Sequence, residues 1–97
     1  MLEITIDEDG IIQLKGSFDA AQARDFEEVF DEIGETKVLD LTNLVYIGSA
    51  GLGVLLSVQQ RLSKIGHHLK LFNPNNHVRD VFRYSGLDQI FEIQDTG

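Results

Sequence analysis

Val38-Leu39-Asp40-Leu41-Thr42-Asn43-Leu44-Val45-Tyr46-Ile47-Gly48-Ser49-Ala50-Gly51-Leu52-Gly53-Val54-Leu55-Leu56 is the stretch on which the fold turns. Lys37 to Leu41 reads as a short, largely apolar strand, and Val45-Tyr46-Ile47 carries the apolar run on toward the glycines. Gly48, Gly51 and Gly53 then crowd a few residues, which lets the backbone turn sharply and lets another surface approach closely. From Ser49 onward Leu52, Leu55, Leu56, Val58, Leu62 and Ile65 recur at helical spacing until Gly66. The apolar arc is wide, so the predicted helix is deeply packed.

Working back toward the N-terminus, Glu3-Ile4-Thr5-Ile6-Asp7 alternates with the period of a half-buried strand. Asp9-Gly10 is a tight-turn pair, and a second alternating run goes from Ile11 to Gly16, so the chain opens as a β-hairpin. Asp19 predicts a helix cap with Gln22 three residues on, and one helix carrying Ala23, Phe26, Val29, Phe30 and Ile33 inward runs to Gly34. Its other face holds Asp25, Glu27, Glu28, Asp31 and Glu32, a solvated surface that also suits steering of a partner.

Toward the C-terminus, His68-Leu69-Lys70-Leu71-Phe72 reads as another strand. Asn73-Pro74 predicts a cap followed by proline at the first helical position, with Val78, Val81 and Phe82 facing inward on the third helix. Gly86-Leu87 marks its stop, and Ile90-Phe91-Glu92-Ile93 is a last short strand or helix edge.

The order β-β-α-β-α-β-α-β predicts one α/β domain over residues 1–97: a mixed sheet with an N-terminal antiparallel hairpin, then parallel crossovers whose helices cover it. Ninety-seven residues suffice for one core, with roughly 60–65% of the unfolded surface available for burial. Sixteen acidic against eight basic side chains give a net charge of −8, which repels nucleic-acid phosphates and anionic lipid headgroups. The acidic start, Met1 to Asp9, is unlike a secretory signal, and no apolar run approaches the ~20 residues that span a bilayer. The expected location is the cytoplasm. Absence of cysteine removes disulfides, thiol catalysis and Cys-based zinc sites.

Ser49, between glycines at a strand-to-helix junction, is the most informative residue. At the start of a helix its hydroxyl lies near unpaired N–H groups and the positive end of the dipole, where a phosphoryl group is tolerated. It reads equally as a simple N-cap, with Gly51 and Gly53 there for tight packing. Enzyme motifs fail around it: a nucleophile elbow needs glycine where Ile47 stands, a P-loop needs a lysine the loop lacks, and the dinucleotide fingerprint needs a different glycine order. His67 and His68 point to opposite faces of a strand and cannot chelate together, and His77 with Asp80 makes two ligands without a third. Asp19 and Asp40 form at most a carboxylate pair without a companion base or nucleophile. Neither metal nor cofactor is expected.

Taken together, Gly16-Ser17-Phe18-Asp19, the segment from Val38 to Gly53, Leu69-Lys70-Leu71-Phe72-Asn73 and Ser85-Gly86-Leu87-Asp88-Gln89-Ile90-Phe91 resemble the STAS domain family, and within it the bacterial anti-sigma factor antagonists. The resemblance covers nearly the whole chain. It implies a non-enzymatic module in which Ser49 is the phosphorylation site of a partner-switching circuit. The unmodified form binds an anti-sigma factor that is also a serine kinase, releasing the sigma factor; a metal-dependent serine phosphatase reverses the modification. Asp19, Gly48, Ala50, Gly51 and Leu52 are the implied partner surface. The family usually has aspartate immediately before the serine, and here Gly48 stands there. The alternative is a STAS subunit of a lipid-transport ABC system, a structural partner of the ATPase.

Overall fold

Asp7 shapes the first turn of the chain. In the computed structural model, which describes residues 1–95, its carboxylate accepts the N–H groups of Asp9 (2.9 Å) and Ile11 (3.0 Å), while Gly10 takes φ +81°. Strand β1 (Leu2–Ile6) thereby folds back on β2 (Ile12–Phe18), antiparallel, with Ile6 opposite Ile12 and Leu2 opposite Gly16. The hairpin is as expected, its second strand running two residues past Gly16.

The expected first helix is instead two short ones, α1 (Ala20–Asp25) and α2 (Glu27–Asp31), because Phe26 leaves the helical region at φ −109°, ψ 17°. The break turns Phe30 under the sheet's helical cover, stacked on Phe18 with ring centroids 5.2 Å apart. Both rings are buried. Strand β3 (Lys37–Ile47) joins the two apolar runs that the sequence offered separately. It pairs parallel with β2, but Asp40 to Asn43 spans Gln13 to Lys15, and Leu44 to Tyr46 spans Gly16 to Ser17. Each bulge inserts one extra β3 residue. The Asp40 carboxylate braces the first by accepting both the N–H (3.0 Å) and the hydroxyl (2.6 Å) of Thr42. A bulge re-aims side chains, and here the inward phase shifts from Leu39 and Leu41 to Leu44 and Ile47, leaving Val45 and Tyr46 exposed.

Helix α3 (Ser49–Ser63), β4 (Leu69–Phe72), α4 (Asn76–Tyr84), a 3₁₀ turn (Leu87–Gln89) and β5 (Glu92–Gln94) follow. The sheet order is β1-β2-β3-β4-β5, antiparallel only at the first pair. Right-handed crossovers that always step to the next strand in one direction put every helix on one face. Leu14, Leu39, Leu41, Leu69 and Leu71 meet Leu55, Leu62, Val78 and Phe82 there, all buried. The predicted α/β mixed sheet is therefore the observed one.

Two details of the helices differ from expectation. Helix α3 ends before Ile65, which is exposed rather than packed. The cap of α4 is Asn75, not Asn73: the Asn75 Oδ1 accepts the Val78 N–H at 2.8 Å while its Nδ2 donates to the Leu44 carbonyl at 3.1 Å. Asn73 takes the left-handed conformation (φ 59°) and Pro74 is buried, so the pair redirects the chain before the helix begins.

Candidate functional site

The parallel pairing of β2 with β3 brings their C-terminal ends together. Phe18 lies opposite Ile47, and the Gly48 N–H donates to the Phe18 carbonyl at 2.9 Å. Asp19 and Gly48 thus leave the sheet side by side, each immediately before a helix. Gln22 closes the start of α1 by accepting the Asp19 N–H at 2.9 Å, the return half of a capping box.

Gly48 is the cap position of α3 and Ser49 its first helical residue, exposed to solvent. Ser49 is therefore not the N-cap: its hydroxyl is not consumed in closing the helix. It stands at the positive end of fifteen aligned peptide dipoles, where added negative charge is favoured. Ala50 and Leu52 are half-buried beside it. Gly51 is buried and serves the site from beneath, since it lets α3 settle onto Phe18.

Other sequence candidates do not converge here. Asp40 lies opposite Gln13, six residues along β2 from Asp19, roughly 20 Å at strand spacing; the carboxylate pair does not form. His67 accepts the Thr36 N–H at Nδ1 (3.1 Å), whereas the His68 Nε2 lies 3.4 Å from a Glu92 carboxylate oxygen. Asp80 pairs with Arg83 (2.7 Å) rather than His77, and the Arg83 guanidinium is held above its ordinary pKa by its hydrogen bond with Tyr84 and by the Asp80 charge. His77 stacks instead on Tyr46, with centroids 6.1 Å apart.

Two features near Ser49 escape a reading of the sequence. Val45 and Tyr46 look like part of a core-bound apolar run; the first bulge puts Val45 out of phase with Leu39 and Leu41, and the second does the same for Tyr46. Between α1, α2 and α3 runs an open groove of about 680 Å³, lined near the serine by Ala20, Ala23, Ala50 and Gly53. Its signal is present in the sequence as small residues three apart, Ala20 and Ala23 on α1 and Ala50 and Gly53 on α3. The five carboxylates on α1, α2 and the residue after them, from Asp25 to Glu32, are all exposed, and Glu27 and Asp31 line the groove. Among the described residues, no helix is long and apolar enough to cross a membrane.

Known proteins share this fold. The family model of the STAS domain matches residues 3–96. A protein of Bordetella bronchiseptica named as an anti-sigma factor antagonist, BtrV, is 38% identical over 99 residues, covering 95% of this chain and 85% of that protein. A STAS-domain containing protein of Pseudomonas aeruginosa is 31% identical over 85 residues, 84% of each chain. Among solved structures, an anti-sigma factor antagonist of Thermotoga maritima superposes with a TM-score of 0.81 at 29% identity, over 98% of this chain and 86% of that one. The unphosphorylated form of the antagonist SpoIIAA gives 0.78 at 20% identity, over 100% and 89%, a likeness of fold.

Proposed function

The chain belongs to the STAS domain family, and on that footing we propose that it is an anti-sigma factor antagonist switched at Ser49. The observation that carries the reading is the exposed first-turn hydroxyl of Ser49, set beside Asp19 on a glycine floor. In its unmodified form this surface binds an anti-sigma factor that is itself a serine kinase, and the sigma factor is released. The domain performs no chemistry of its own and acts in the cytoplasm.

Electrostatics explains how one group could control the complex. A phosphate brings a charge of about −1.5 to −2, and the N-terminus of α3 accommodates it within the free protein. In a complex, the same charge must lose water against the partner, next to the Asp19 carboxylate. A loss of ~3 kcal/mol at that contact weakens binding more than a hundredfold, with no refolding required. A serine phosphatase then resets the switch. The acidic side of α1 and α2 speeds encounter with a basic partner surface.

The decisive experiment combines mass spectrometry of the protein from its own cells with binding to the serine-kinase anti-sigma factors of its own genome. Phosphate on Ser49, tight binding by the wild type and by Ser49→Ala, and loss of binding by Ser49→Asp are the expected results. Absence of binding to every such kinase, or a Ser49→Asp variant that binds like wild type, would overturn the reading. Assembly with a transporter ATPase, indifferent to both substitutions, would place the domain in a lipid-transport system instead.

A further inference from the structure

The two edges of the sheet are unlike. Strand β5 is three residues long and begins with Glu92, whose carboxylate lies 3.4 Å from the His68 Nε2. Strand β1 is five residues without a proline, a lysine or a bulge, the devices that ordinarily keep an edge from pairing. Its one charge, Glu3, stands opposite Lys15 on β2. The Asp7 N–H donates to the Ile11 carbonyl at 3.0 Å, and the Ser17 N–H to the Met1 carbonyl at 2.8 Å. Hydrogen-bonded pairs alternate along an antiparallel ladder, so Glu3 and Thr5 turn their backbone groups toward β2, while Leu2, Ile4 and Ile6 turn theirs outward. The side chains of those three share the helical face of the sheet, and their cover thins toward the turn: Leu2 is buried, Ile4 half-buried and Ile6 63% exposed.

We propose that this edge binds a second copy of the chain, β1 against β1 and antiparallel about Ile4, joining two five-stranded sheets into one of ten. Outward-facing groups must meet outward-facing groups, which leaves three closely overlapping antiparallel registers. Setting Leu2 against Ile4 of the copy puts Glu3 against Glu3, and setting Ile4 against Ile6 puts Glu3 against Asp7. Like charges directly opposite are destabilising, and parallel pairing in register meets the same obstacle at Glu3. Setting Ile4 against Ile4 puts Glu3 against Thr5 and keeps the carboxylates apart. It also lays Ile6, the exposed end of one strand, against Leu2, the covered end of the other, so that six apolar side chains form one continuous row. The contact is the same from either side, as a two-fold dimer requires. A strand pair this short covers less surface than an obligate dimer does, so the association is reversible. It does not depend on the reading of Ser49.

The test is sedimentation equilibrium of the 97-residue chain over roughly 10 µM to 1 mM protein, in about 0.3 M salt, where a screening length of ~6 Å mutes the repulsion between two net charges of −8. A dimer that grows with concentration is the expected result. Ile6→Lys alters a position already exposed, and Ile4→Pro removes an outward N–H while leaving the β1–β2 ladder its own bonds; each should weaken dimerisation at least about tenfold. Thr5 is exposed and tolerates either charge. Thr5→Lys should strengthen the dimer and Thr5→Glu weaken it, by about fivefold each, because every dimer holds two contacts between Glu3 and Thr5. The chain has no cysteine, so Ile4→Cys should oxidise to a linked dimer faster than the exposed control Glu8→Cys, its two Cα atoms standing about 5.5 Å apart across a hydrogen-bonded pair. A chain that stays monomeric at every concentration overturns the proposal, even where a strand of another protein pairs with the edge. So does a dimer indifferent to Ile6→Lys, or one that the two Thr5 substitutions shift in the same direction, or linkage of Ile4→Cys no faster than that of the control.

Discussion

Gly51 lies directly against the carbonyl oxygen of Phe18: a Cβ on residue 51 would stand 2.5 Å from that oxygen and 3.0 Å from the Phe18 ring and the Ile47 side chain. The nearest obstacle is backbone at the end of β2, which cannot step aside without moving the strand that places Asp19. The same contact that seats α3 on the sheet therefore also sets the spacing between Asp19 and Ser49.

Gly51→Ala and Gly53→Ala are expected to act in opposite directions although both sit in the first turns of α3. The first overpacks a buried contact and should lower stability by about 2 kcal/mol. The second meets nothing within 4 Å, and replacing a helical glycine by alanine should raise stability by up to about 1 kcal/mol. Urea unfolding of the two variants checks the contrast; equal effects would contradict it.

Gln59 is, among the described residues, the buried polar side chain of the core, and its Oε1 accepts the Leu69 N–H at 2.8 Å, where α3 meets the start of β4. Gln59→Leu keeps the volume and removes the acceptor, leaving a buried N–H unpaired at a cost of about 1–3 kcal/mol. Glutamate at this position would retain the acceptor but bury a charge. Thermal unfolding should rank wild type above Gln59→Leu.

Arg61 reaches from α3 to the end of α2, donating to the Phe30 carbonyl at 3.0 Å and also to the Ile33 carbonyl. The Phe30 carbonyl also accepts the Ile33 N–H at 3.2 Å, and Ile33 lies two residues past the end of α2, so the guanidinium ties down the turn that leaves this helix. Arg61→Ala should cost about 1–2 kcal/mol, and Arg61→Lys should recover only part of it, because a single ammonium lacks the planar fork. Hydrogen exchange is expected to show faster opening of residues 27–33 in Arg61→Ala while the β-sheet amides keep their protection.

Asn75 joins two elements with one amide, capping α4 through Oδ1 and holding the Leu44 carbonyl through Nδ2. Asn75→Asp keeps the acceptor and loses the donor; Asn75→Ala loses both. Stability should fall in the order wild type, Asn75→Asp, Asn75→Ala, with about 1 kcal/mol assigned to the cap alone. A measured order with Asp below Ala would show that a carboxylate oxygen set against the Leu44 carbonyl costs more than the cap contributes.

Elements with strong local signals are legible in the amino-acid order alone. Asp9-Gly10 announces the hairpin, the spacing of Leu52, Leu55, Val58 and Leu62 announces α3, and Gly86 marks the end of the last helix, because each depends on residues within one or two turns of chain. The spacing of Phe26 suits a continuous helix, and the chain breaks there all the same. What breaks the helix has no local signature, and the break accompanies the stacking of Phe30 on Phe18. Asn73-Pro74 resembles a cap in sequence, yet Asn75 wins because it also reaches Leu44, a contact between segments thirty-one residues apart.

By itself the sequence determined the α/β class, the position of Ser49 at a strand-to-helix junction, and the resemblance that the family comparison bears out, since hydrophobic period and glycine placement are local properties. Only the tertiary structure decided that residue 48 lies against the Asp19 side chain. Its dihedrals are ordinary and carry no local signature; it meets Asp19, twenty-nine positions earlier, because parallel pairing sets the two strand ends side by side.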